Sequence, residues 1–132
     1  MNFHRIILVS AALGIGTIGI GYVLSPAWMY GLYGIGIESV NEGNMVRGAY
    51  GGLFVASAVL FLLGAMQERL KMPAFIYLLT FMLGFASGRT ISIVFDGIPS
   101  GLILLLLGLE LVYIILASSV LYASRNEKDA LP

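Results

Sequence analysis

The chain has 132 residues, of which 59% are hydrophobic and 11% charged, with a formal net charge of zero and a mean hydropathy of +0.97. A soluble domain carries about 25% charged residues, so there are too few here to cover a globular surface, and zero net charge offers nothing to nucleic acid or to an acidic substrate. The absence of Cys removes disulfide exchange, iron–sulfur ligation and thiolate metal sites.

A transmembrane helix needs about 20 apolar residues. The first such stretch runs from Ile6 to Leu24 and stops at Ser25-Pro26, because Pro disfavours helix at the residue before it. His4 and Arg5 ahead of it, and Ser25-Pro26-Ala27 behind it, have the look of a signal peptide. The apolar stretch is longer than the roughly 7–15 residues of a signal core, so it reads as an uncleaved helix. A connector, Ser25–Asn44, follows. The second span is expected from about Met45 to Ala65, the third from Pro73 to Phe95 and the fourth from Gly101 to Tyr122, with a tail over 123–132. Pro73 suits the first turn of a helix, where its missing N–H is not needed. The short connectors Met66–Met72 and Asp96–Ser100 make successive helices antiparallel neighbours. The expected fold is therefore a single all-α integral membrane domain, four transmembrane helices in an up-down-up-down bundle.

The basic residues orient it. Arg5, Arg69, Lys71, Arg125 and Lys128 share the side that holds both termini and the middle connector. The opposite loops carry Glu38, Glu42 and Asp96, with Arg47 just entering the second helix. Lys and Arg favour the cytoplasmic side, which places both termini in the cytoplasm and the Ser25–Asn44 connector outside it. That connector and its approach hold Tyr22, Trp28, Tyr30 and Tyr33. These are expected as an interfacial aromatic belt; the alternative is a lid over a cavity, for which Gly31, Gly34 and Gly36 supply freedom of movement.

Within lipid, helices associate through close backbone approach at small residues. Ser10, Gly14, Thr17 and Gly21 form one stripe on the first helix, Gly48, Gly52 and Ala56 one on the second, and Gly84, Gly88 and Ser92 one on the third. Spacings of three and four put each set on one face. The fourth helix is Leu-rich from Leu102 to Leu107 and is expected to meet lipid.

Two ionisable residues lie well inside the spans. Arg89 is ~10 Å below the end of the third span, and Glu110 is ~14 Å into the fourth, at 1.5 Å per residue. A charge at mid-span costs roughly 2.5–3.5 kcal/mol on insertion scales, so it is paired, neutralised or turned to a cavity. An Arg89–Glu110 pair is expected, with Tyr113 on the same face. Arg47 and Tyr50 enter from compatible depth, and Ser92, Asp96 and Glu42 complete a candidate polar cluster, Ser92 standing three residues after Arg89 and four before Asp96. The cluster is read either as an ion-pair network that fixes helix order or as a binding site for a polar or anionic headgroup. Candidate ligand-binding residues are thus Arg47, Tyr50, Arg89, Ser92, Asp96 and Glu110.

Chemistry beyond binding is not expected. The single His is His4, beside Arg5 at the N-terminus, whereas haem or zinc in a helical bundle draws on several inward-facing His or Cys. No nucleophile–base–orienter arrangement is readable. Gly51-Gly52 is helix packing, not a phosphate-cradling loop. No catalytic residue, metal site or cofactor is assigned, and no enzyme is expected.

Arg47-Gly48-Ala49-Tyr50-Gly51-Gly52, Gly88-Arg89, Asp96-Gly97-Ile98-Pro99-Ser100 and Glu110, in that order and spacing, resemble the pattern of domain-of-unknown-function family 4345. The resemblance covers nearly the whole chain, and the layout is more distantly similar to DoxX-like four-helix membrane proteins. It implies a multi-pass protein of the bacterial inner membrane and one shared pattern comprising Arg47, Tyr50, Arg89, Asp96 and Glu110; it brings no established activity. Three readings stay open. The first is a module that contacts membrane lipids and binds a lipid, quinone or other amphipathic small molecule. The second is an accessory subunit with a membrane-protein partner, or a homo-oligomer. The third is a proton-coupled small transporter using Glu110.

Overall fold

A computed structural model describes residues 2–129, with side chains through Asn126. The Lys128 side chain, counted above toward orientation, and residues 130–132 of the expected tail lie outside the described residues. The elements are α1 (Phe3–Leu24), a short α2 (Pro26–Gly31), α3 (Val40–Met66), α4 (Glu68–Asp96) and α5 (Gly101–Asp129). Four of them, all but α2, are long and apolar enough to cross a membrane. The protein is a multi-pass, all-helical membrane protein whose spans contact lipid.

The helix ends follow local chemistry more than the apolar runs. α3 starts at Val40, five residues before the expected boundary, because Ser39 and Glu42 form a capping box. The Glu42 amide donates to Ser39 Oγ at 3.1 Å while the Glu42 carboxylate accepts from the Ser39 amide at 3.3 Å, and two otherwise unsatisfied amides gain partners. α4 starts at Glu68, so Pro73 sits inside the helix and not in its first turn. Proline there forgoes one backbone hydrogen bond, tolerable where the first turn of α4 is exposed. Gly97, at φ 97°, ends α4 in a conformation that side chains resist. Residues 123–129, within the expected tail, continue α5 as helix.

The connector is less open than its composition suggests. Pro26 opens α2 at the first helical position, and Gly34 takes φ 75° to turn the chain after it. The Ile35 amide donates back to the Tyr30 carbonyl at 3.1 Å. The expected belt of aromatics splits as a result. Trp28 is 63% exposed, whereas Tyr22 is buried and Tyr30 and Tyr33 fold over the helix ends.

α1 packs antiparallel on α3, α3 on α4 and α4 on α5, while α1 and α5 touch at only a few points. The half of the bundle nearer the termini is solid. Ile7, Leu8, Ala11, Phe61, Phe75, Leu78, Ala117 and Val120 form one buried cluster, with Phe61, Phe75, Leu8 and Leu78 almost wholly inaccessible. Arg5 Nε donates to the Ala65 carbonyl at 2.8 Å, a basic cap for the end of α3. The other half holds only a small cluster of Tyr22, Met29 and Val46. Packing is therefore asymmetric along the bundle axis.

Glycines make the closest contacts, but of the glycine stripes picked from spacing Gly21 alone takes part, an added Cβ there standing 2.7 Å from Met29 Sδ. α1 meets α3 through Gly16 and Gly19, where an added Cβ would stand 3.1 Å from Ala58 Cβ and 2.9 Å from the Val55 amide. On α3 the close glycines are Gly51, against Val23, and Gly64, against Ala74. A Cβ at Gly14, Gly84 or Gly88 would meet nothing within 4 Å, and neither would one at Gly48. Periodicity identifies residues that share a face; it does not say whether a neighbour covers that face.

Candidate functional site

Gly14, Gly84 and Gly88 are open because they line a cavity of about 540 Å³. It occupies the loosely packed half of the bundle, between the α2 connector and the solid core. Its floor is Ala11, Met82 and Tyr113, and Tyr30, Tyr33 and Ile35 close over the opposite end. The volume falls within the roughly 300–1,000 Å³ typical of small-molecule sites.

One wall is a continuous run of aromatic rings. Tyr22 stacks edge-on to Tyr30 and tilted on Tyr50, with centroids 5.7 and 5.4 Å apart; Tyr50 meets Phe54 at 5.9 Å. Phe54 contacts both Phe81 and Phe85, which are 5.0 Å from each other. Tilted and edge-to-face geometries are those that the ring quadrupoles favour. The Arg89 guanidinium carbon lies 6.0 Å from the Phe85 centroid, so the run ends on a cation. Tyr50 reaches this wall from a π-helical turn, Arg47–Gly52, inserted in α3. Such turns are rare, and they re-aim side chains at functional sites. Burial, and then the Tyr50 phenol beside it, pushes the Tyr30 phenol above its ordinary 10.0, so it stays a neutral hydrogen-bonding group.

The polar pole is the Arg89–Glu110 pair. Arg89 Nε donates to Glu110 Oε1 at 2.8 Å, with the two side chains 23% and 10% exposed. Glu110 faces inward because it shares a stripe with Tyr113, Ala117 and Val120 on α5. Its second oxygen, Oε2, is buried with no hydrogen-bond partner among the described residues. Ser57, the other buried polar residue among the described residues, is fully engaged: its hydroxyl bonds the Leu53 carbonyl at 2.7 Å and Tyr77 Oη at 2.9 Å. An unsatisfied buried acceptor costs about 1–3 kcal/mol, and Glu110 is among the residues that line the cavity.

Of the residues expected to form one cluster, Tyr50, Arg89, Ser92 and Glu110 line the cavity. Arg47 does not. It is exposed, and its Nε donates to the Val23 carbonyl at 3.1 Å, capping the end of α1. Asp96 is exposed and takes the Ser92 hydroxyl at 2.8 Å, one helical turn away. Glu42 is used up in its own capping box. Each has a nearer local partner than the pair at mid-span. Tyr22 and Tyr30, expected as a belt or a lid, line the cavity as well, and the residues missed were Phe54, Phe81 and Phe85. The spacings Tyr50–Phe54 and Phe81–Phe85–Arg89–Ser92 carried the signal, since steps of three and four hold them on one face.

Beneath the cavity, Tyr113 Oη donates to Ser10 Oγ at 3.0 Å, one of the few contacts joining α1 to α5. Tyr113→Phe should lower bundle stability by about 0.6 kcal/mol, the average for an interhelical hydrogen bond in a membrane protein. Equilibrium unfolding in mixed lipid–detergent micelles would measure it, with Tyr122→Phe, on the exposed side of α5, as an unchanged control.

No curated protein and no solved structure matches the chain. A family model described as Domain of unknown function (DUF4345) matches residues 3–121. That match spans α1 to the greater part of α5 and takes in every cavity-lining residue, so the chain belongs to that family.

Proposed function

We propose that this protein is a non-enzymatic binding module of the inner membrane, with both termini cytoplasmic, that holds a lipid, a quinone or another amphipathic small molecule in the bundle cavity. The observation that carries the reading is the coexistence of an open, aromatic-walled cavity with a charge pair set in its wall. A pair serving only to fix helix order would be packed over, as the terminal half of the bundle is. Here the apolar body of a ligand has Tyr50, Phe54, Phe81 and Phe85 to lie against, and its head has Arg89, Ser92 and Glu110. Small-molecule sites combine apolar walls and few convergent polar groups in this way.

A second reading has its own observation. Gly48, Gly52 and Ala56 form an exposed stripe on α3, free for a second copy or a membrane-protein partner to approach closely. This supports an accessory-subunit role beside ligand binding. Transport through Glu110 is the third reading; Glu110→Gln would then abolish proton-coupled flux of the ligand.

Native mass spectrometry of the protein extracted gently from its own membrane tests the first reading. A small-molecule adduct is expected. Its occupancy should fall at least about tenfold, equivalent to 1.4 kcal/mol, in Arg89→Ala and in Gly88→Leu. The second variant fills the cavity from a position where an added Cβ meets no atom. An adduct indifferent to Gly88→Leu, or a stable protein assembly with no small molecule, would overturn the reading.

A further inference from the structure

The unpartnered oxygen of Glu110 narrows the chemistry of the head. The Glu110 side chain is nine-tenths buried, one carboxylate oxygen is held by Arg89 and the other has no partner among the described residues. Oε2 therefore calls for an N–H or O–H donor. Arg89 spends its Nε on Glu110, and a guanidinium has further N–H groups on its Nη atoms that call for an acceptor. Arg89 and Glu110 both line the cavity, so one head group entering there serves both once the Glu110 carboxylate turns its closed-off Oε2 toward it.

Charge then selects among heads. The pair sums to zero, so an anionic head would be set against the Glu110 carboxylate and a cationic one against the Arg89 guanidinium, each adding an unbalanced charge inside the bundle. A carbonyl, as in a quinone or an ester, satisfies Arg89 and leaves Oε2 as it was. A hydroxyl is the smallest neutral group that does both, since its O–H donates while its oxygen accepts. A primary amide also does both, but it brings a second N–H and a second lone-pair set into a wall of Phe85, Leu106 and Leu109.

We propose that the head taken by this cavity is a neutral hydroxyl that donates to Glu110 Oε2 and accepts from Arg89, on an apolar body lying along the aromatic wall. This rests on the reading of the cavity as an amphiphile site. Phenols and aliphatic alcohols share the chemistry. The aromatic wall suits a phenol, and the test separates the two.

The protein in lipid nanodiscs is titrated with 4-decylphenol, 4-decylanisole, dodecanol and dodecanamide, and adduct occupancy is read by native mass spectrometry. Decylanisole has the shape of decylphenol without the O–H. Decylphenol is expected to bind at least about tenfold more tightly than decylanisole, the effect of leaving one buried acceptor unsatisfied, and Gly88→Leu is expected to abolish the adduct. Glu110→Gln, which replaces the carboxylate by an amide of the same size, should shrink the phenol–anisole gap. Dodecanol equal to decylphenol would assign recognition to the hydroxyl alone, and a weaker dodecanol would assign it to an aromatic hydroxyl; both uphold the proposal. Equal binding of phenol and anisole, both lost in Gly88→Leu, would overturn the hydroxyl while leaving the amphiphile site standing. So would preference for dodecanamide. Adducts unaffected by Gly88→Leu would remove the site itself.

Discussion

Glu110→Ala is expected to destabilise the bundle by about 3 kcal/mol, whereas Arg89→Met combined with Glu110→Met costs less than about 1 kcal/mol. The reason lies in what each change leaves behind. Removing Glu110 strands a guanidinium that cannot give up its charge at a depth where Arg89 is only 23% exposed. Breaking a buried pair by deleting one partner costs about 3–5 kcal/mol, and the lower end applies because part of the Arg89 side chain reaches open space in the cavity. Replacing both residues removes the two charges and their desolvation cost together, so hydrophobic side chains of similar length restore most of the balance. The difference between the double variant and the sum of the singles is the coupling energy of the pair. Equilibrium unfolding in mixed lipid–detergent micelles, run on wild type, Glu110→Ala, Glu110→Met, Arg89→Met and the double variant, supplies the full cycle. Equal, additive losses would mean that the two side chains do not act as a pair and that Arg89 finds its stabilisation elsewhere, along the Phe85 ring or in the headgroup region.

How much of this could be read from residues alone varies with the scale of the feature. The class and the four-span architecture follow from length and apolar runs, because a bilayer imposes one length on every span. The pairing of Arg89 with Glu110 follows from depth, because two lone charges at similar height on adjacent helices have few other partners. Boundaries were less legible. α3 begins at Val40 because of two side chains, Ser39 and Glu42, that lie outside the apolar run, and Pro73 is absorbed into α4. The cavity was not legible as a volume. The spacing of Gly14, Gly84 and Gly88 is that of packing glycines, yet nothing covers them, since whether a small-residue face meets a helix or a void depends on how all four spans are tilted. Arg47 was drawn into the cluster by depth and is claimed by the Val23 carbonyl, while Asp96, drawn in by its spacing from Ser92, does bond Ser92 but stands outside the cavity lining. A hydrogen bond within one turn, or to a neighbouring helix end, needs no reach and wins over a distant ion pair.

The same distinction between covered and open glycines sets the other large effect. Gly19→Ala and Gly64→Ala should each lower stability by about 2–3 kcal/mol, at the upper end for overpacking a closely fitted interior. At Gly19 the new methyl would stand 2.9 Å from the Val55 amide nitrogen and 3.1 Å from the Gly51 carbonyl oxygen. Backbone atoms of α3 cannot step aside as a flexible side chain does, so α1 and α3 must separate along a contact that includes Gly16 and Ala58. At Gly64 the methyl meets Ala74 Cβ head-on, with the Leu70 carbonyl 3.2 Å away, at the joint where α3 turns into α4. Gly84→Ala and Gly88→Ala act in the opposite sense. With no atom within 4 Å, they retain the helix-favouring effect of Ala and should be neutral or stabilising by up to about 1 kcal/mol. All four variants add one methyl to one helical glycine, so chain-entropy effects are shared and the differences report the space around each site. Thermal unfolding in nanodiscs, followed by far-ultraviolet circular dichroism, would rank them. A ranking with Gly84 and Gly88 as costly as Gly19 would mean that α4 and its neighbours close on each other and that no cavity persists in the bilayer. The expected ranking, with Gly84→Ala and Gly88→Ala tolerated, fits glycines retained to hold the space open instead of to bring helices together.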